Sequence, residues 1–260
     1  MARALRLGRR GRRFESSHPD IMNDVKTVPY QKKFGYSYAF GVFPTIELLE
    51  NKPKEVIKVM LSSRGKSNSG VQKIISLCSK HQIKTEWSDG LISRIGGNKN
   101  TYAVGVFQKY SCKINNEENL IILVSPEDTG NLGTVLRSCL GFGIDNLVII
   151  KPAVDVFDPK TVRASMGSIF KIKFQYFDDF DKYRLEHKNN LYLFMTNGKE
   201  ELSGVEFTSP FALVFGSESA GLPKEFASLG KSVFVKQSGQ IDSLNLASVV
   251  AISLYEAFKV

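Results

Sequence analysis

Apolar and polar positions along this chain follow two rhythms. Between residues 36 and 110 the units are short. TIELLENK has a helical spacing, EVIKVMLSS reads as a strand, and GVQKIISLCSKHQ returns to a helix with Val71, Ile74, Ile75 and Cys78 on one face. IKTEW follows as a strand, DGLISRI as a short helix and YAVGVFQKY as a strand, which together predict a small α/β module. The segment SCKINNEEN, residues 111–119, is polar and poor in branched apolar side chains, so it reads as a linker.

From residue 120 the apolar runs lengthen. LIILVS, NLVIIK, LYLFMT, FALVFG and SVFVK are unbroken β-branched and aromatic stretches, as expected of strands covered on both faces of a mainly parallel sheet. Predicted helices fall between them in NLGTVLRSCLGF, DPKTVRASMG, DDFDKYRLEH and LPKEFASL, and one more follows in SLNLASVVAISLYEAF. This alternation predicts a doubly covered α/β fold. In the first of these helices Leu132, Val135, Leu136, Cys139 and Leu140 form a core stripe, Arg137 lies off it, and Asn131 suits the N-cap. The last helix is apolar nearly all round and is expected to be buried, yet its first turn carries Ser243 and Asn245. A capping role accounts for Ser243. A buried amide without partners costs about 1–3 kcal/mol, so Asn245 calls for a further role.

Composition narrows the class. The 260 residues are 42% hydrophobic, enough for one large domain or two modest ones. No apolar run nears the roughly 18 residues of a membrane span, so a soluble chain is expected. Cys78, Cys112 and Cys139 are odd in number and widely spaced, which predicts neither a disulfide framework nor a metal site and fits a reducing, cytoplasmic setting. The net charge of +9 invites RNA as a partner. Residues 1–20 supply four of those charges, with six Arg against Glu15 and Asp20, and leave +5 for the rest. That Arg run reads as an RNA-binding arm, a targeting peptide or a non-native extension. RRFESSHPD looks like a conceptual translation of a tRNA T-arm, so residues 1–21 are expected to be disordered or non-native, with translation starting at Met22.

The stretch VFGSESAGLPKEF places Gly216 and Gly221 at the spacing of a phosphate-gripping loop. Leu222 and Pro223 stand where that loop needs Lys and Ser or Thr, and Glu218 would repel a phosphate. Such a loop suits a neutral or cationic ligand, or a hydroxyl needing an acceptor; a plain strand-to-helix turn is the other reading.

Four segments, DTGNLGTVLRS, VRASMGS, LVFGSESAGL and IDSLNLASVVAISLYEA, taken in this order, resemble the SpoU (TrmH-like) family of SPOUT RNA methyltransferases over roughly residues 120–258. Three family motifs match at Asn131, Gly133 and Arg137, at Gly216, Glu218 and Gly221, and at Ser243, Leu244 and Asn245. A weaker resemblance, in YAFGVFPTIELLE and AVGVFQ, likens residues 36–110 to the family's N-terminal RNA-binding domain of ribosomal-protein L30e type. The implied layout is an L30e-like domain at 22–110, a linker at 111–119 and a SPOUT methyltransferase domain at 120–260. The resemblance further implies a deep C-terminal trefoil knot, a homodimer formed through it, S-adenosylmethionine as methyl donor, no metal, and RNA as partner, ribosomal rather than transfer RNA.

By motif position, the backbone around Gly216, Val235 and Leu244, with Ser217 and Gly221, is implied to hold the donor. Arg137, Asn131, Glu218, Asn245 and Ser243 are implied to serve 2′-O-methylation of a ribose. Arg137 is the family's usual candidate base. A guanidinium holds its proton too tightly to serve readily as a base, which favours instead an anchor for the phosphate beside the acceptor ribose. One departure stands out: Val235, Lys236 and Gln237 occupy positions where the family commonly has Ile-Pro-Met. A non-catalytic RNA-binding protein with a vestigial pocket is the alternative reading.

Overall fold

The computed structural model describes residues 25–115 and 117–259, so the Arg-rich run, the expected extension at 1–21 and Met22 lie outside the described residues. Two sheets organise the chain. The first takes its strands from β1 (Tyr36–Phe40), β2 (Val56–Leu61), β3 (Thr85–Trp87) and β4 (Ala103–Gln108), in the order β1-β4-β2-β3. Helices α1 (Val42–Asn51), α2 (Ser69–His81) and α3 (Asp89–Arg94) lie between these strands in sequence. β4 runs antiparallel to both β1 and β2, while β2 and β3 are parallel, so β1, β2 and β3 end on one edge of the sheet.

The second sheet comprises β5 (Leu120–Val124), β6 (Asn146–Ile150), β7 (Lys173–Phe177), β8 (Asn190–Phe194), β9 (Glu200–Glu201), β10 (Phe211–Phe215) and β11 (Lys231–Phe234). Its order is β7-β6-β5-β10-β8-β11-β9, and each of these strand pairs is parallel. The helices are α4 (Thr129–Gly141), α5 (Pro159–Ala164), α6 (Phe180–Glu186) and α7 (Leu246–Ala257). β6 and β10 are buried along their whole length, which is why their sequences contain no polar alternation.

Several expectations are corrected. The apolar runs do not predict β1, β7 or β9: β7 is an edge strand whose Lys173 and Gln175 interrupt its apolar positions, and β9 has two residues. LPKEFASL forms only a 3-10 turn over Lys224–Ser228, since Pro223 and Gly230 bracket too few residues for an α-helix. Asp128, not Asn131, caps α4, accepting the Asn131 N–H at 2.7 Å. Likewise α7 starts at Leu246 with Asn245 as its cap, and Ser243 lies in the loop before it. Nor is α7 buried all round: Leu246, Ala247, Val250 and Leu254 face the core, while Ile252, Tyr255 and, just beyond the helix, Phe258 remain exposed. Among the described residues no helix is long and apolar enough to cross a membrane.

The two sheets share one apolar core rather than hanging from a loose tether. Phe107 of β4 meets Phe157 and Phe170 at centroid distances of 5.6 and 5.2 Å, and Tyr110 meets Phe157 at 4.8 Å, in edge-on geometry favoured by ring quadrupoles. Beside this cluster Asp155 accepts hydrogen bonds from Tyr30 at 2.6 Å and Lys109 at 2.8 Å. Burial and the neighbouring carboxylate push the Tyr30 phenol pKa up. The described residues of the 111–119 segment form no helix or strand, but Ile114 is buried and the Asn115 N–H bonds the Asn146 side chain at 2.8 Å. Further on, α4 and α5 press together at Gly133, where a Cβ would stand 2.5 Å from that of Ala164.

Phe157→Ala empties the middle of the aromatic junction, and urea unfolding is expected to show a loss of about 3–5 kcal/mol. Leu185→Ala, at a side chain 81% exposed, is expected to stay within about 0.5 kcal/mol.

Candidate functional site

A cavity of about 490 Å³ opens at the carboxyl ends of β8, β10 and β11, where open parallel sheets place their ligands. Each strand ends in a lining loop: Met195, Thr196 and Asn197 follow β8, the Gly216–Leu222 loop follows β10, and Val235 and Gln237 follow β11. Asn131 from the first turn of α4 and residues 242–245 before α7 complete the wall.

The β10 loop folds back on itself. Ser217 and Gly221 form an antiparallel bridge, with the Gly221 N–H donating to the Ser217 carbonyl at 3.0 Å. A Cβ on Gly216 would fall 2.0 Å from the Gly221 carbonyl carbon and 2.3 Å from the Leu222 nitrogen, so only glycine closes this turn. Gly221 sits at φ +67°, a conformation glycine adopts without steric cost. The phosphate-loop spacing of these glycines therefore serves closure of the turn.

Closure aims Glu218 back toward α4. Its Oε2 accepts the Glu127 N–H at 2.9 Å, and its Oε1 accepts the Asp128 N–H at 3.3 Å and the Asn131 Nδ2 at 3.0 Å. With its amide nitrogen committed, Asn131 presents Oδ1 to the Asn245 Nδ2, 3.0 Å away. Asn245 Oδ1 in turn accepts the Ala247 N–H at 2.9 Å and caps α7. One residue from each expected motif thus enters a single hydrogen-bonded chain across sequence separations of 87 and 114 residues.

Nine of the ten expected residues line the cavity: Asn131, Gly216, Ser217, Glu218, Gly221, Val235, Ser243, Leu244 and Asn245. Arg137 does not. It is exposed on α4, six residues beyond Asn131 and about 9 Å further along the axis. Sequence reasoning missed Thr196, Asn197, Gln237 and Asp242. The rule that ligands sit beyond carboxyl strand ends would have found the first two, and Gly198 beside them is a local signal, because a Cβ there would stand 2.5 Å from the Val233 carbonyl carbon.

The lining explains which ligands fit. Among the described residues it holds two carboxylates, Glu218 and Asp242, and neither Lys nor Arg. An anion gains nothing there, whereas a small molecule with a positive centre and an apolar body does. The volume falls in the roughly 300–1,000 Å³ range of small-molecule sites. Leu222, Val235 and Leu244 supply apolar surface, the bare backbone at Gly216 leaves room for close approach, and the buried Gln237 Oε1 has no partner among the described residues.

Comparison with known proteins agrees with this geometry. The chain is 32% identical over 144 residues to the uncharacterised tRNA/rRNA methyltransferase slr1673 of Synechocystis, covering 53% of this chain and 52% of that one. It is 30% identical over 148 residues to the 23S rRNA (uridine(2479)-2'-O)-methyltransferase of Streptomyces viridochromogenes, covering 54% and 52%. The chain thus spans about half the length of these two relatives. The crystal structure of an AdoMet-bound rRNA methyltransferase from Sinorhizobium meliloti superposes with a TM-score of 0.71 at 26% identity, covering 86% of this chain and 87% of that one. Finally, the family model described as the SpoU rRNA Methylase family matches residues 118–255, more than half of the chain and every wall of the cavity. The protein belongs to the SpoU rRNA methylase family.

Proposed function

We propose that this protein transfers a methyl group from S-adenosylmethionine to the 2′-hydroxyl of a ribose in RNA, ribosomal rather than transfer RNA. The observation that carries the reading is the Glu218–Asn131–Asn245 chain along one wall of a cavity that the described residues line with carboxylates and no cations. Support for ribosomal RNA comes from the Streptomyces relative and from the Sinorhizobium enzyme, whose match also takes in the N-terminal sheet. In this proposal residues 22–110 form the L30e-like RNA-binding domain, 111–119 the linker and 120–260 the catalytic domain, threaded as a trefoil knot. The exposed Ile252, Tyr255 and Phe258 supply the apolar surface for homodimerisation. A cytoplasmic site of action fits an enzyme acting on RNA.

When bound, the donor supplies an electrophilic methyl carbon on a cationic sulfur. The backbone around Gly216, Val235 and Leu244 holds its adenosine part, with Ser217 and Gly221 keeping the loop closed. Ser243, at the cavity wall, and the amides of Asn131 and Asn245 orient the acceptor ribose. Transfer needs oxygen, carbon and sulfur in line, and the Glu218 lock removes the rotational freedom of Asn131 that would blur that alignment. Arg137 is assigned to the phosphate beside the acceptor, where a fixed positive charge stabilises the oxyanion as the hydroxyl proton passes to solvent water.

Incubating undermodified total RNA with the protein and labelled S-adenosylmethionine, then hydrolysing in alkali, is expected to leave a gap in the ladder at the methylated ribose. Label without a gap would make a base the acceptor and overturn the proposal. Arg137→Ala is expected to lower the single-turnover rate about 100-fold or more with donor binding unchanged. An Arg137→Lys enzyme of near-normal rate with a shifted basic limb would refute the anchor. In calorimetry Gly216→Ala is expected to weaken donor binding at least about tenfold, because its Cβ forces the loop open.

A further inference from the structure

The charge of the chain is unevenly placed. Residues 25–110 hold 14 Lys and Arg against 5 Asp and Glu, a balance of +9, whereas residues 111–260 hold 15 against 18, a balance of −3. The methyl-donor cavity lies wholly in the acidic part. Of the five carboxylates in the basic part, Glu47, Glu50 and Glu86 pair with Lys171, Lys73 and Lys58, and Asp89 accepts the Ser62 and Ser63 hydroxyls with Arg64 3.9 Å away.

The edge where β1, β2 and β3 end gathers exposed side chains of two kinds. Trp87, the single tryptophan of the chain, closes β3 and is 44% exposed, with the Lys66 ammonium 5.7 Å from its ring centroid. Phe43 follows β1 and is 67% exposed, while Arg64 and Lys66 follow β2. Lys99 is exposed in the loop that leads into β4. Arg163 of α5 lies over the Phe40 ring at 5.3 Å, which joins this edge to the helix packed on α4 beside the cavity.

Building on the proposed RNA methylation, we propose that this edge holds an unpaired nucleotide of the substrate RNA, its base stacked on Trp87 and its phosphates met by Arg64, Lys66 and Lys99. A base inside a duplex has no free face to offer an indole, whereas an unpaired base does. Charge complementarity favours RNA over a protein partner. The substrate class is therefore RNA with a loop or bulge next to the modified region.

Because Trp87 is the sole tryptophan, its emission reports this edge alone. The full-length protein would be titrated with a short RNA hairpin bearing an unpaired loop and with a blunt duplex of equal length, following emission and, separately, anisotropy of end-labelled RNA. The hairpin is expected to quench emission and bind at least about tenfold more tightly than the duplex. Trp87→Ala is expected to cost about tenfold or more in hairpin affinity, with Trp87→Phe restoring most of it and the heat of donor binding unchanged. Equal quenching by both RNAs, or RNA binding that leaves emission untouched, overturns the Trp87 assignment while leaving the methyltransferase reading intact. Failure of both RNAs to bind overturns both.

A second inference rests on a different atom. Gln237 Oε1 is sealed from solvent without a hydrogen-bond partner among the described residues, on a side chain that lines the donor cavity. We infer that it accepts a hydrogen bond from the exocyclic amino group of the donor's adenine. An uncharged amide oxygen matches that neutral amine, whereas the positive sulfonium and ammonium match the carboxylates of Glu218 and Asp242. Val235, two residues earlier in the same loop, offers the base an apolar wall. Methionine, the family's common residue here, offers only a weak acceptor.

Calorimetry with S-adenosylhomocysteine and its deaminated, inosine-type analogue tests this. The wild-type protein is expected to prefer the amino form by about tenfold, and Gln237→Met to reduce the preference below about twofold. Equal affinity of the wild type for both ligands overturns the inference alone. Absence of heat with either ligand overturns the donor site as well.

Discussion

Glu218 holds the site together. Its carboxylate collects two backbone N–H groups ahead of α4 and one side-chain amide on it, although it arrives on a loop from the other half of the sheet. Charge-assisted bonds of this kind are roughly twice as strong as neutral ones. Everything further along the wall inherits its orientation from this group. Asn131 can present its oxygen to Asn245 only because its nitrogen is held, and Asn245 can cap α7 only while its own nitrogen has somewhere to point. A tight turn that admits no side chain at Gly216 carries Glu218 to that place.

The molecule separates two electrostatic tasks that would conflict if combined. A cavity for a cationic small molecule is poorly served by nearby cations, and a surface for a polyanion is poorly served by carboxylates. Here the cations are concentrated around the mixed four-stranded sheet and the site carboxylates lie at the end of the parallel one. The aromatic junction at Phe107, Phe157 and Phe170 packs the two sheets against one another.

Much of the parallel sheet is legible in the chain because β5 and β10 are apolar throughout, β6 and β8 are apolar after an initial Asn, and β11 ends in Val233 and Phe234, runs that suit the interior of a covered sheet. β7 is not, because an edge strand tolerates Lys173 and Gln175 and so loses the signal. Capping misleads twice in the same way. Asp128 and Asn131 are both good caps by type, as are Ser243 and Asn245, and only the course of the backbone decides which one faces the open N–H groups. For α7 the apolar character is plain in the sequence and its meaning is not, since part of that surface is turned outward in a single copy. Membership of a motif identifies Arg137 as a residue type, yet its angular position on α4 sets it apart from the pocket its neighbours line. Gln237 and Asp242 escape a sequence reading because loops lack the periodicity that makes helices and strands readable.

The long sequence separations within the Glu218–Asn131–Asn245 chain bear on how the protein is made. Contacts between residues so far apart form late, after much loop-closure entropy has been lost. A nascent chain emerging from the ribosome through residue 215 already has most of the strands that frame the cavity floor, but neither the folded-back turn nor the cap of α7. Until residues 216–249 fold against α4, one wall of the cavity is missing, so the pocket closes only after the parallel sheet that frames it has been made.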